Sequence, residues 1–319
     1  MQSFETLSKQ FAEKFDTKHF PEHPASLYEP NEYFLKLGGK RIRPVLCLMG
    51  NEMFDEIMPD AWHAAFAIEL FHNFTLIHDD IMDKAPLRRG KPTVHTKYND
   101  STALLAGDVM LVKGYEHLNK ISSAYLSKVL HLFNKTAIEV CEGQQMDMDY
   151  ESQDNVSMDE YLRMIELKTS VALAASLKIG ALIGGGGERN QNLLYEFGRK
   201  LGIAFQVQDD YLDAFGDDKK TGKQVGGDIL SNKKTFLLIH AMESVSHQKE
   251  LKQLIKNNPS NKVEKVLGVY KDCKVDEWAL QLKNKYFDEA MAHLEDIAVL
   301  SKRKEPLREL ALFLVQRDF

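Results

Sequence analysis

Apolar residues recur at steps of three and four over long stretches of the chain, the spacing of helices that bury one face. Residues 61–81 carry the pattern clearly, with Ala65, Ile68, Glu69, His72, Leu76 and Asp79 at helical intervals. Residues 159–182 and 192–213 read the same way. No window alternates strictly between apolar and polar positions, so no strand is expected and the fold class is all-α, helix packed on helix. Breaks are expected at 21–30, 85–93, 151–157, 184–190, 216–234 and 257–261. None resembles a flexible linker and no unit repeats, so residues 1–319 are expected to form a single domain. The run Gly184 to Gly187 lacks the Lys-Ser/Thr pair of a phosphate loop and follows no strand, which leaves a helix-to-helix turn.

Composition narrows the function classes. A hydrophobic fraction of 44% with 28% charged residues is globular, not disordered. The formal net charge of -6, with no broad basic face, argues against a nucleic-acid partner. Cys47, Cys141 and Cys273 lie far apart, an odd and sparse set that fits a reducing compartment and excludes a CxxC site. The N-terminus lacks a basic start followed by an apolar stretch, and no run approaches the roughly 18 apolar residues of a membrane span. A cytoplasmic protein without a membrane span is expected.

Against this apolar helical background, two clusters of carboxylates stand out. In His78-Asp79-Asp80-Ile81-Met82-Asp83, Asp79 and Asp83 are four apart and share a helix face, where two like charges repel. A divalent cation would relieve that, and magnesium suits because it takes hard oxygen ligands and shares its shell with water and phosphates. A solvated helix end with capping aspartates is the competing reading. The same spacing returns in Gln206-Val207-Gln208-Asp209-Asp210-Tyr211-Leu212-Asp213, again closing an apolar helix. Gln206, Asp209, Asp210 and Asp213 form one polar stripe on that helix, and buried carboxylates need partners. Two such stripes facing each other would make a metal-bridged site for a diphosphate. Gly38-Gly39-Lys40-Arg41-Ile42-Arg43-Pro44 adds three cations within four positions, and Arg88-Arg89-Gly90 adds two more. Guanidinium forks match phosphate oxygens, although each stretch alone reads equally as a basic surface turn, as do Lys168, Lys223 and Lys233 singly.

Together, GGKRIRP, HDDIMD with RRGKPTVH after it, Lys168-Thr169, FQVQDDYLD and the stretch 227–235 closely resemble the trans-isoprenyl diphosphate synthases, in that family's order and spacing. The resemblance implies an isoprenoid-synthase-type helical bundle around a deep central cavity, usually a homodimer, that condenses isopentenyl diphosphate with an allylic diphosphate. It implies magnesium, three ions per site, on Asp79, Asp83 and Asp209, with Asp80, Asp210 and Asp213 as direct or supporting ligands. It places the allylic diphosphate on Arg88, Lys168, Thr169, Gln206, Lys223 and Lys233, and isopentenyl diphosphate on Lys40, Arg43, His72 and Arg89. His72 precedes Asp79 by seven residues and shares its helix face. Asp79, Asp83, Asp209, Lys168 and Lys223 would carry the chemistry: departure of pyrophosphate, attack on the allylic cation by the isopentenyl double bond, and loss of a proton, with pyrophosphate as the base. Asn232 departs from the pattern, since many members have glycine before the lysine.

In that family, bulk four and five residues before the first aspartate motif sets product length. Here these are Thr75 and Phe74, and an aromatic only at the fifth position resembles the archaeal geranylgeranyl type, with farnesyl diphosphate as the alternative. Helical rotation puts Thr75 about 40° and Phe74 about 140° from Asp79, so spacing alone does not aim Phe74 at the cavity floor. A non-catalytic subunit of a heteromeric synthase is the rival of another class, one in which the second aspartate motif is typically degraded.

Overall fold

A computed structural model describes residues 1–216 and 225–316. Its described residues are overwhelmingly helical and fall into two compact units, Met1–Phe133 with Ser176–Gln191, and Asn134–Ala175 with Asn192–Phe319.

The first unit holds α1 (Phe4–Phe15), α2 (Ala25–Leu35), α3 (Ile42–Glu52), α4 (Pro59–Met82), α5 (Val94–Lys97) and α6 (Asp100–Leu118). Ser3 caps α1 by accepting from the Thr6 amide, and Asn99 caps α6 by accepting from the Thr102 amide. α4 is apolar nearly all round, and Ala61, Ala64, Ala65, Ala67, Ile68, Leu70 and Phe71 are all buried in it, as suits a central helix. It packs on α3 and α6. Phe11 of α1 stacks on Phe15 at 5.1 Å and meets the Phe66 ring edge-on at 5.5 Å.

One small difference from the sequence expectation lies between α4 and α5. Residues 85–93 include a two-stranded hairpin, β1 (Leu87–Arg88) against β2 (Lys91–Pro92), with Leu87 opposite Pro92. Its two-residue loop, Arg89-Gly90, has φ of 54° and 72°, the positive pair that a tight hairpin turn requires. Strands of two residues are too short for alternation to reveal. A second difference is α2, which runs through Pro30 inside the expected break; burial of Pro30, Asn31, Phe34 and Leu35 outweighs the lost backbone donor.

The second unit takes in most of α7 (Ser123–Ser152), then α8 (Met158–Ile165), a π-helical turn at Glu166–Ser170 and the start of α9 (Val171–Ile183). It continues through α10 (Glu188–Phe215), α11 (Gly227–Leu230), α12 (Phe236–Met242), α13 (Gln248–Asn257), α14 (Lys262–Asp272), α15 (Val275–Glu295) and α16 (Ser301–Gln316). A capping box starts α8: Ser157 Oγ accepts from the Glu160 amide at 3.3 Å, and the Ser157 amide donates to Glu160 Oε2 at 2.8 Å. The core joins Tyr161, Ile203, Val207, Phe236, Leu251, Val269 and Tyr270. The four-glycine run is the expected turn between α9 and α10, with Gly185 left-handed at φ 78°.

Candidate functional site

In the first unit α4 carries both His72 and the first aspartates. Asp79 is half-buried and Asp83 is exposed at the helix end, where its amide donates to Asp79 O at 2.8 Å. Asp80 is 1% exposed and belongs to Arg88, whose Nε lies 2.9 Å from each carboxylate oxygen and whose Nη2 lies 2.8 Å from Oδ1. The hairpin delivers that arginine. Burial pushes the Asp80 carboxyl up and the Arg88 guanidinium opposes it.

The glycine-rich loop before α3 is bent by positive φ at Gly38, Gly39 and Arg41. A side chain at Gly39 would strike Arg89, its Cβ 2.8 Å from Nη2, and Arg89 Nη1 donates to Gly38 O. Arg41 turns inward and pairs with Glu69 of α4, itself 2% exposed and accepting from Asn73 Nδ2 at 2.8 Å. Arg43 Nη1 approaches His72 Nε2 to 3.3 Å. His72 is held well below the usual imidazole value, first by burial and then by Arg43, Arg89, Arg88 and Arg41. It is therefore neutral near pH 7, a hydrogen-bonding group among guanidiniums. Of the four residues expected to hold isopentenyl diphosphate, Arg43 and His72 touch, Arg89 lies against Gly38-Gly39, and Lys40 follows that pair, exposed.

Thr75 and Phe74 sit on the same helix. Thr75 Oγ1 donates to His72 O at 2.9 Å. Phe74 lies edge-to-face on His78 at 4.8 Å and against Phe71 at 5.9 Å. His78 Nε2 is 3.1 Å from Leu104 O, over Gly107, where a Cβ would fall 2.2 Å from the ring.

In the second unit Lys168 and Thr169 stand on the π-helical turn, a feature common at functional sites. Gly143 of α7 makes room for it, since a Cβ there would lie 2.3 Å from the Lys168 backbone nitrogen. Lys168 Nζ donates to Asp147 Oδ2 at 2.5 Å. Thr169 Oγ1 donates to Gln206 Oε1 at 3.3 Å, and Gln206 Nε2 donates to Asp210 Oδ1 at 2.9 Å. The Tyr161 hydroxyl donates to the other oxygen, Oδ2. Asp210 is pushed up to about 7, chiefly by burial and then by Asp228, against the pull of Lys233, Tyr161 and Gln206. Asp213 Oδ2 accepts from the Asp228 amide at 3.0 Å, and Asp209 is half-buried beside them on α10. Lys223 lies outside the described residues.

Glu69, Asp147 and Tyr161 are the participants that motif reading passes over, and Asp228 lies in the stretch 227–235 without being singled out there. Glu69 was legible as a polar residue on the apolar face of α4; Asp147 and Tyr161 lie far in sequence from their partners, and the role of Asp228 is hidden in the short α11, where periodicity carries no signal.

Among the described residues no cluster of three or more His, Cys, Asp or Glu side chains makes a ready cage for a metal. The donors fit magnesium in its usual mode, through one or two carboxylates with water and substrate phosphate completing the shell. They are hard oxygens only, and a buried carboxyl raised to about 7 beside Asp228 calls for a counter-charge.

The polyprenyl synthetase family model matches residues 24–273. A geranylgeranyl pyrophosphate synthase of Geoglobus acetivorans is 39% identical over 315 residues, covering 98% of this chain and 97% of that one. A geranylgeranyl diphosphate synthase of Methanosarcina mazei is 43% identical over 222 residues, 69% of this chain and 68% of the relative. Among solved structures, a geranylgeranyl pyrophosphate synthetase from Pyrococcus horikoshii superposes with a TM-score of 0.92 at 34% identity, covering 98% of both chains.

Proposed function

The chain belongs to the polyprenyl synthetase family, and we propose that it condenses isopentenyl diphosphate with an allylic diphosphate to a short-chain trans-prenyl diphosphate, chiefly geranylgeranyl diphosphate. The observation that carries the reading is the cluster of guanidiniums around neutral His72, on the same helix as Asp79, Asp80 and Asp83. So many fixed cations at one place await a polyanion. Archaeal relatives named for geranylgeranyl diphosphate support the product assignment.

In this reading Lys40, Arg43, His72 and Arg89 hold isopentenyl diphosphate. Arg88, Lys168, Thr169, Gln206, Lys223 and Lys233 hold the allylic diphosphate. Asp79, Asp83 and Asp209 bind magnesium, three ions per site, with Asp80, Asp210 and Asp213 in support. Bound magnesium supplies the charge that stabilises pyrophosphate as it leaves. The residues of the chain orient the two diphosphates, so that the allylic carbon meets the isopentenyl double bond, and their cations screen the negative charge that builds on the leaving group. Apolar walls exclude water from the allylic cation. No side chain of the motifs is placed as the base, so the proton passes to the pyrophosphate oxygen.

The active form in this reading is a homodimer, and residues 1–319 act as one domain. On α6, Leu104, Leu105, Val112 and Tyr115 are 47, 57, 60 and 37% exposed, and helical rotation gathers them within about 100° of arc. An apolar face of that kind suits a second copy of the chain. No helix of the described residues is long and apolar enough to cross a membrane. Free cysteines at 47, 141 and 273 support a cytoplasmic setting.

The test is a chromatographic assay with magnesium, labelled isopentenyl diphosphate and, separately, dimethylallyl, geranyl and farnesyl diphosphates. A twenty-carbon product from all three, abolished by a chelator, is expected. Folded protein that condenses none of them would leave the non-catalytic subunit as the better reading.

A further inference from the structure

The helices beyond residue 242 carry no motif, yet one of them brings a buried cation to the edge of the second aspartate cluster. Lys262 opens α14 and is 1% exposed. Its Nζ donates to the Leu230 carbonyl at 3.3 Å and to Asn232 Oδ1 at 2.5 Å. Both oxygens are neutral, and burial lowers the lysine from its ordinary value. A buried ammonium with so little compensation is a poor device for stability, so its placement needs another reason.

The turn it holds supplies one. Asn232 is left-handed at φ 58°, a conformation that asparagine tolerates better than most residues. Where glycine would give the bend alone, asparagine also offers the amide oxygen that Lys262 takes. The next residue is Lys233, whose amide donates to Asp228 O at 2.9 Å and whose carbonyl accepts from the Thr235 amide at 2.9 Å. Lys233 in turn opposes the rise of Asp210 through its charge. Beside the turn, Asp228, Lys233, Thr235, Lys262 and Tyr270 line a gap of only about 10 Å³. The two hydrogen bonds of Lys262 tie the start of α14 directly to this turn.

We propose that Lys262 is a positioning residue for the reaction: by gripping Leu230 and Asn232 it fixes the turn that presents Lys233, and so sets the affinity for the allylic diphosphate. This rests on the reading of Lys233 as a ligand of that diphosphate.

The experiment is steady-state kinetics of the full-length enzyme with magnesium for Lys262→Met, Asn232→Gly and the double variant, together with hydrogen exchange at the amides of residues 233 and 235. Each single variant is expected to raise KM for the allylic diphosphate five- to tenfold while KM for isopentenyl diphosphate stays within twofold. The double variant should be no worse than the poorer single one, because both cut the same bond. Exchange at the two amides should quicken at least tenfold in Lys262→Met. Equal shifts in both KM values, additive effects or unchanged exchange would overturn the proposal. Asn232→Gly keeps the left-handed backbone, so it reports even where Lys262→Met destabilises the fold. Lys233→Ala separates the two readings. If it leaves the allylic KM unmoved, Lys233 is not a diphosphate ligand and the kinetic arm lapses, whereas the exchange arm still decides whether Lys262 fixes the turn.

Discussion

Arg88 grips Asp80 through both carboxylate oxygens, with Nε at 2.9 Å from each and Nη2 at 2.8 Å from Oδ1. The middle carboxylate of the first cluster is thus already compensated and sits buried, while Asp79 is half-buried and Asp83 exposed on the same helix. In the proposed reading this divides the labour in the cluster: Asp80 orients an arginine, and Asp79 and Asp83 would meet the metal.

Asp79→Ala and Asp209→Ala are accordingly expected to lower turnover at least a thousandfold with the fold unchanged by circular dichroism. Asp80→Asn keeps the shape but weakens the charge-assisted pair with Arg88, so its main effect should be a rise in KM for the allylic diphosphate of about tenfold, with the magnesium dependence retained. Near-normal activity in Asp79→Ala would sink the metal assignment.

Glu69 is the counterpart for the loop at residues 38–41. Its side chain is 3% exposed and Arg41 is 11% exposed, so Glu69→Ala would strand a buried guanidinium, at about 3 kcal/mol. Thermal unfolding should shift down by several degrees, and KM for isopentenyl diphosphate should rise more than KM for the allylic partner. Glu69→Gln should show the second effect with less of the first. Equal KM values in the Gln variant and the parent would show that Arg41 merely braces the fold.

How much of this was legible in the sequence depends on chain distance. The helices α4 and α10 and their aspartate stripes were readable because period and chemistry lie within one window. The π-helical turn under Lys168 was not, since an extra residue in a helical turn leaves the apolar spacing almost intact. Asp147 on Lys168 and Tyr161 on Asp210 join residues 21 and 49 positions apart, which no local pattern encodes. The hairpin at Leu87–Arg88 escaped because its two positive φ values include an arginine, not the usual asparagine or glycine pair.

Phe74 packs on His78 at 4.8 Å and on Phe71 at 5.9 Å, which fixes its ring. If it forms the cavity floor, Phe74→Ala should yield products beyond twenty carbons, and Thr75→Phe should stop the enzyme at fifteen. Chromatography of dephosphorylated products checks both. An unchanged twenty-carbon product from Phe74→Ala would make this ring plain core.

The apolar face of α6 makes a prediction about assembly. Val112, 60% exposed, lies in its middle, so Val112→Asp would set a charge into an interface between copies without disturbing the buried side of the helix. Light scattering coupled to gel filtration should report a dimer for the parent and a monomer for the variant. A dimer in both would place the contact elsewhere.

His117 on α6 is expected to make the fold sensitive to acid. Its Nδ1 lies 3.5 Å from His63 Nδ1, its ring meets Phe66 edge-on at 5.2 Å, and His19 stands 6.2 Å away. Burial pushes it down to about 4, helped by Lys120, His19, His63 and Lys113. It is therefore neutral in the native state, whereas in the unfolded chain it takes a proton near its ordinary value. Between these limits the unfolded state binds more protons, so the contribution of this histidine to stability is full at and above about pH 6.5 and is lost as pH drops toward 4. Urea midpoints for the parent at pH 7.5 and 4.5 should fall further apart than those of His117→Phe, which keeps a ring against Phe66 but cannot titrate. Carboxylates contribute the same acid sensitivity to both proteins, so the difference between the two pH dependences isolates the histidine, and identical dependences would show that its protonation does not limit the fold.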